Sequence, residues 1–178
     1  KEEEQELYKF GIRNGMILLL NVVTALVIGL LTEQLAVVAV FTLSFMVLRS
    51  YTGGYHSDSR IFCYLGSNLV LLVPVYTQAV FYKTSLAWLL AVLLVSAGII
   101  FLLSPMHSKN RKLDKEEQKH FGRKARLIAA LELAVLGILW HAGQIPYAYA
   151  VYTGICITAL FMLVGKAQLW IQSHTENG

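Results

Sequence analysis

The sequence predicts an all-α, polytopic integral membrane protein: six transmembrane helices, cytoplasmic termini and a cytoplasmic basic loop. Three observations lead there. First, 56% of the 178 residues are hydrophobic and only 15% are charged, against about 25% charged in an ordinary soluble domain. A water-soluble protein of this size has no use for so much apolar surface. Second, the apolar residues fall into six runs, at 15–31, 34–48, 60–82, 86–103, 127–143 and 146–165. Third, six spans assign 14 of the 15 Lys and Arg residues to one side of the membrane and Lys83 alone to the other. The basic side is the cytoplasmic one.

Each element follows from its residues. The opening segment 1–14, KEEEQELYKFGIRN, carries four glutamates and then Leu7, Tyr8, Phe10 and Ile12, spaced for neither helix nor strand. It reads either as a short interfacial helix with Tyr8 and Phe10 at headgroup depth or as a solvated entry segment. The run 15–31 is followed by further spans and so does not read as a cleaved signal peptide. Because the chain opens on Lys1, a few residues are expected to precede it. The second run is short for a span, so its ends need partners or interfacial residues. The third holds Pro74 in mid-run, which predicts a kink. The fourth ends at Ser104-Pro105, since the residue before proline resists the α region.

The segment 104–126, SPMHSKNRKLDKEEQKHFGRKAR, is the one long polar loop, with eight basic and three acidic residues. Asp114 followed by Glu116 and Glu117 predicts a helix start at 113–115, running through Lys119 and Arg123 into the fifth span. Its basic residues either seat anionic lipid or an acidic peptide, or serve only to fix topology. Gly143 and Pro146 bracket a tight turn before the last span. There is no internal repeat and no low-complexity segment, so residues 1–178 read as a single domain. Glu132, inside the fifth span, is either functional or bonded to a neighbouring helix.

The chemistry concentrates in RSYTGGYHSDSRIFCY, residues 49–64. The two cysteines, Cys63 and Cys156, lie in different spans and read as free thiols. Cys156, in YTGICITAL, reads as a core residue without a polar neighbour. His56 and Cys63 are seven apart, about 10 Å along a continuous helix, whereas direct proton transfer needs roughly 3 Å. The glycine pair at 53 and 54 lets the chain turn before His56. Ser57, Asp58 and Ser59 are N-cap candidates for the helix that begins the third span. Such a cap puts Cys63 in or just past the first turn, where the helix dipole lowers a thiol pKa and favours the attacking thiolate. A nucleophile, a base and a pKa device thus share one short stretch. The bland alternative is a polar loop histidine and a cysteine packing as a small hydrophobe. His107, His120, His141 and His174 show no ligand spacing, and no metal site or cofactor is expected.

The pattern Arg49, Gly54, His56 and Cys63, spaced R-x4-G-x-H-x6-C between two apolar spans, resembles the accessory gene regulator B family. Those are bacterial membrane-embedded cysteine endopeptidases of peptide quorum-sensing systems. Pro105 and then Asn110-Arg111-Lys112-Leu113 resemble the family's proline and asparagine-basic loop, although Leu113 stands where the family often has a second proline. The resemblance implies His56 and Cys63 as the catalytic pair, with Arg49 and Gly54 at positions needed for activity. Gly54 would permit the turn. Arg49 would hold a carboxylate, from an acidic substrate tail or from Asp58, unless it is a snorkelling topology marker. Asp58 would either orient His56 or cap the helix.

The implied substrate is a short precursor peptide with an amphipathic leader, an internal cysteine or serine and an acidic C-terminal tail. Lys109, Arg111 and Lys112 would meet that tail. The implied product is a thiolactone or lactone ring, and the implied site faces the cytoplasmic side of a bacterial plasma membrane. A homodimer is the expectation from the family, membrane lipid is the other partner, and nucleic acid is not one. A small peptide transporter is the reading from a different functional class, with a membrane scaffold third.

Overall fold

The computed structural model describes residues 2–53, 60–106 and 114–175, with the side chains of 2–10, 13, 14, 60–63, 115 and 172–175 outside that description. Among the described residues the chain is entirely helical: α1 Glu2–Leu31, α2 Leu35–Thr52, α3 Arg60–Tyr76, α4 Gln78–Lys83, α5 Leu86–Leu103, α6 Lys115–His141 and α7 Ile145–Thr175. Among the described residues three stretches are long and apolar enough to cross a membrane: Leu35–Thr52, Leu86–Leu103 and Ile145–Ile171. Gly15–Leu31 and Tyr64–Tyr76 are shorter apolar helical stretches.

The apolar runs map closely onto these helices, and the departures have local causes. The opening segment is helical but not separate: α1 passes from it into the apolar stretch without a break. α2 continues four residues past the end of the second run, carrying Arg49 in its last turn. The third run divides at Thr77. Pro74 lies inside α3 and cannot donate to the carbonyl of Val70. The chain bends three residues later, where Thr77 Oγ1 donates to the Val73 carbonyl at 2.8 Å. The six-residue α4 then turns Phe81 inward against Trp140, Tyr149 and Tyr152.

The loop helix begins where its acidic residues predict. Asp114 caps α6, and its backbone N–H donates to Glu117 Oε2 at 3.3 Å in a capping box. The α6–α7 turn is closed by Gly143 at φ 72° and by the Gln144 N–H donating to the Leu139 carbonyl at 2.9 Å.

α7 is the centre of the molecule. About two thirds of its apolar stretch (67%) is buried, against 11% of α5. Its most extensive partner is α2. The two run in the same direction, because Ser44 faces Gly154 while Arg49, further along α2, lies over Phe161, further along α7. α6 completes the group: Ser44 Oγ donates to Glu132 Oε2 at 2.7 Å. That is the neighbouring-helix bond the sequence set beside a functional role for Glu132, and it supplies the carboxyl group with a partner among apolar side chains.

The approach at Gly154 is close enough that a Cβ there would lie 2.5 Å from Ser44 Oγ. Gly154→Leu is therefore expected to force α2 from α7 and to destabilise the protein by about 1–3 kcal/mol, as overpacking does elsewhere. Unfolding by denaturing detergent would measure it, and a variant as stable as wild type would refute the close-packing argument.

Candidate active site

In the sequence, the site residues named above fall between α2 and α3, at the two flanking helix segments, and before α6. α2 ends at Thr52, and Gly53 takes φ 70° and ψ −152°, a conformation that only glycine adopts without strain. The chain therefore leaves the helix at the first residue of the glycine pair. Cys63 lies in α3, which is described from Arg60 onward. Gly54, His56, Asp58, Lys109, Arg111 and Lys112 lie outside the described residues, as does the side chain of Cys63.

What the described residues add is a clasp around Gly53. The Met106 N–H donates to the Thr52 carbonyl at 2.9 Å. A Cβ on Gly53 would stand 2.5 Å from the Met106 carbonyl oxygen. Arg49 Nη1 donates to the Gly53 carbonyl at 2.7 Å, and its guanidinium lies 5.1 Å from the centre of the Phe161 ring. Arg49 therefore has a described role in fixing the backbone that leads to His56, with α7 as its support. A carboxylate from Asp58 or a substrate is a separate matter, because Asp58 is outside the described residues.

The basic segment is fastened at the same place. Pro105 packs on Gly122 of α6, where a Cβ would meet Pro105 Cδ at 3.0 Å. Tyr51 of α2 meets Phe121, and Lys124 lies 5.8 Å from the Tyr51 ring centre. Arg126 Nε donates to the Phe101 carbonyl at 3.1 Å, tying α6 to the end of α5. Met106, which precedes Lys109, Arg111 and Lys112 in the sequence, is thus bonded to Thr52, and Gly53, which precedes His56, lies against the same Met106.

Sequence reasoning missed Met106 and Phe161 as members of this arrangement, and no motif marks either. Gly53 was legible as half of a pair, but its particular role was assigned to Gly54. One reading is corrected: Cys156 does have polar neighbours, since its thiol lies against the side chains of Ser96 and Tyr152. It is a free thiol.

An α-helical membrane protein is the class that this fold defines. A family model described as accessory gene regulator B matches residues 1–163. The chain belongs to the accessory gene regulator B family. It is 26% identical over 156 residues to the accessory gene regulator protein B of Staphylococcus intermedius, covering 85% of this chain and 80% of that one. It is 24% identical over 131 residues to AgrB-like proteins of two Clostridium perfringens strains, covering 70% of this chain. Against those two it spans 61% of the relative's length, less than two thirds. No solved structure matches the chain.

Proposed function

We propose that this chain is a membrane-embedded cysteine endopeptidase of peptide quorum sensing, which removes the C-terminal tail of a precursor and promotes closure of the remaining peptide into a ring. The observation that carries the reading is the end of α2 at Thr52, where Gly53 at φ 70° turns the chain out of the helix ahead of His56 in the sequence. Membership of the accessory gene regulator B family supports it.

Cys63 thiolate attacks the carbonyl carbon joining the central segment to the tail. His56, having taken the thiol proton, returns it to the leaving amine as the C–N bond breaks. The products are a thioester on Cys63 and the free tail. The substrate's own cysteine then attacks that thioester, Cys63 leaves as thiolate, and a thiolactone closes. Exchange of one thioester for another is nearly balanced in energy. Forming the first thioester from an amide is uphill, so release of the tail must draw the reaction forward. Water has to be kept from the intermediate, and placing Cys63 at the rim of an apolar helix does so. Backbone N–H groups at the start of the third span would serve as the oxyanion donors.

In this reading six crossings are made by α1, α2, α3 with α4, α5, α6 and α7. The parallel run of α2 and α7 supports that count, since the second and sixth of six alternating spans point the same way. The basic segment 107–113, beside the reactive stretch, receives the acidic tail and faces the cytoplasm with both termini.

The thioester is the test. Wild-type chain in membranes is mixed with a precursor-type peptide (apolar leader, serine in place of its ring-closing cysteine, acidic tail), quenched in acid and weighed intact. A hydroxylamine-sensitive adduct at the mass of chain plus peptide minus tail is expected. Tail release with no such adduct, and with no inhibition by thiol alkylation, would sink the proposal.

A further inference from the structure

α3 is fastened at both ends by the same small device. At the Cys63 end, Tyr64 directly follows Cys63 in the chain, and its Oη is hydrogen-bonded to Thr24 Oγ1 of α1 at 2.8 Å. Just past the other end, Thr77 Oγ1 is hydrogen-bonded to Tyr149 Oη of α7. Both threonines already donate within their own stretch of chain: Thr24 Oγ1 to the Leu20 carbonyl and Thr77 Oγ1 to the Val73 carbonyl, each at 2.8 Å. A threonine hydroxyl has one hydrogen, so in both pairs the tyrosine donates and the threonine accepts. The direction of each bond is thereby fixed.

Apolar contacts let one helix roll or slide over another at little cost, whereas a hydrogen bond broken inside a membrane finds no water to replace it. Phenylalanine would fill the space of Tyr64, so the hydroxyl adds register rather than bulk. Successive helical residues are related by about 100° and 1.5 Å, and Tyr64 and Cys63 share a peptide unit. Any roll or slide of α3 at Tyr64 is therefore carried in full to the Cα–Cβ bond of Cys63. Pro74 interrupts the backbone ladder further along α3, so the Tyr149 bond cannot by itself fix the roll at the Cys63 end.

We propose that Tyr64 and Thr24 are positioning residues: the bond between them makes α1 the strut that sets the roll and depth of the part of α3 holding Cys63. The inference rests on the peptidase reading, in which Cys63 attacks the precursor. It gives α1, which carries none of the motif residues, a part in the reaction.

The experiment separates positioning from stability. Tail release from the precursor-type peptide is followed in lipid nanodiscs for full-length wild type, Tyr64→Phe, Thr24→Val and the double variant. Either single variant should lower kcat about ten- to a hundredfold, the scale of a reacting group displaced by up to an ångström, with KM unchanged. The double variant should be no slower than the slower single one, since both substitutions remove the same bond. Thr24→Ser, which keeps the accepting hydroxyl, should retain the wild-type kcat. Tyr149→Phe is the control, because it removes the matching bond at the other end of α3. It should lower the unfolding temperature as Tyr64→Phe does, while leaving kcat near the wild-type value.

Wild-type kcat in Tyr64→Phe overturns the proposal, and so does a raised KM with kcat unchanged. An equal fall in kcat for Tyr149→Phe would reduce both bonds to general packing and overturn it too, as would effects that multiply in the double variant. If one single variant does not fold, the other breaks the same bond from the opposite helix and carries the test. Failure of the peptidase reading is seen separately, as undiminished tail release by Cys63→Ala.

Discussion

Cys63→Ala should release no detectable tail from a precursor-type peptide, while the protein still reaches the membrane in normal amount. Alanine leaves no atom able to form the acyl bond, and the remaining groups can only hold the substrate. His56→Gln should be slower than wild type by about 10²–10⁴-fold rather than inactive, the usual contribution of a positioned acid–base group. The two variants together test the pair. If His56 serves only to take the proton from Cys63, the double variant should be no worse than Cys63→Ala alone. Quantifying released tail by mass spectrometry over a time course covers the whole range. Processing by Cys63→Ala at the wild-type rate would remove the cysteine from the mechanism altogether.

Gly53→Ala should have the second largest effect, at a position no motif singles out. The backbone at φ 70° and ψ −152° costs a residue with a side chain about 1–3 kcal/mol. The new methyl would also run into the Met106 carbonyl oxygen, 2.5 Å away. The chain can escape only by rotating Gly53 or by moving the 104–106 segment. Either breaks the bond between Met106 and Thr52, and rotation also takes the Gly53 carbonyl from Arg49. At least tenfold lower processing is expected from a shift of this size near reacting groups, with the membrane helices intact. Arg49→Lys should fall in the same direction, since an ammonium has neither the planar fork nor the flat face that Phe161 receives. Normal processing by Gly53→Ala would show that the clasp does not position the reactive segment.

Much of this arrangement can be read from the residues, for a definite physical reason. Apolar runs report burial in lipid or protein directly, so the helices appear where Gly15–Leu31 and Leu86–Leu103 lie. Capping chemistry is local too: Asp114 with Glu117 marks the start of α6 unaided. The division of the third run at Thr77 is only half legible. Pro74 announces a disturbance, but where the chain bends depends on Phe81 finding Trp140, Tyr149 and Tyr152 from two other helices. The clasp is harder still, because Met106 contributes backbone atoms, and a backbone contact leaves no trace in side-chain identity. Phe161 looks like any apolar residue of α7 until Arg49 is found over it. The misjudged surroundings of Cys156 have the same origin: Ser96 is sixty positions away in sequence, on another helix.

The lengths of α2 and α5 have a consequence of their own. Each has 18 residues, about 27 Å at 1.5 Å per residue, slightly less than the ~30 Å hydrocarbon layer of a typical bilayer. Thicker host lipid must thin around these rods or draw their ends inward. One of those ends bears the Arg49 guanidinium that is bonded to the Gly53 carbonyl. For the proposed peptidase, acyl-chain length is therefore expected to throttle turnover, which assays in bilayers of graded thickness would measure.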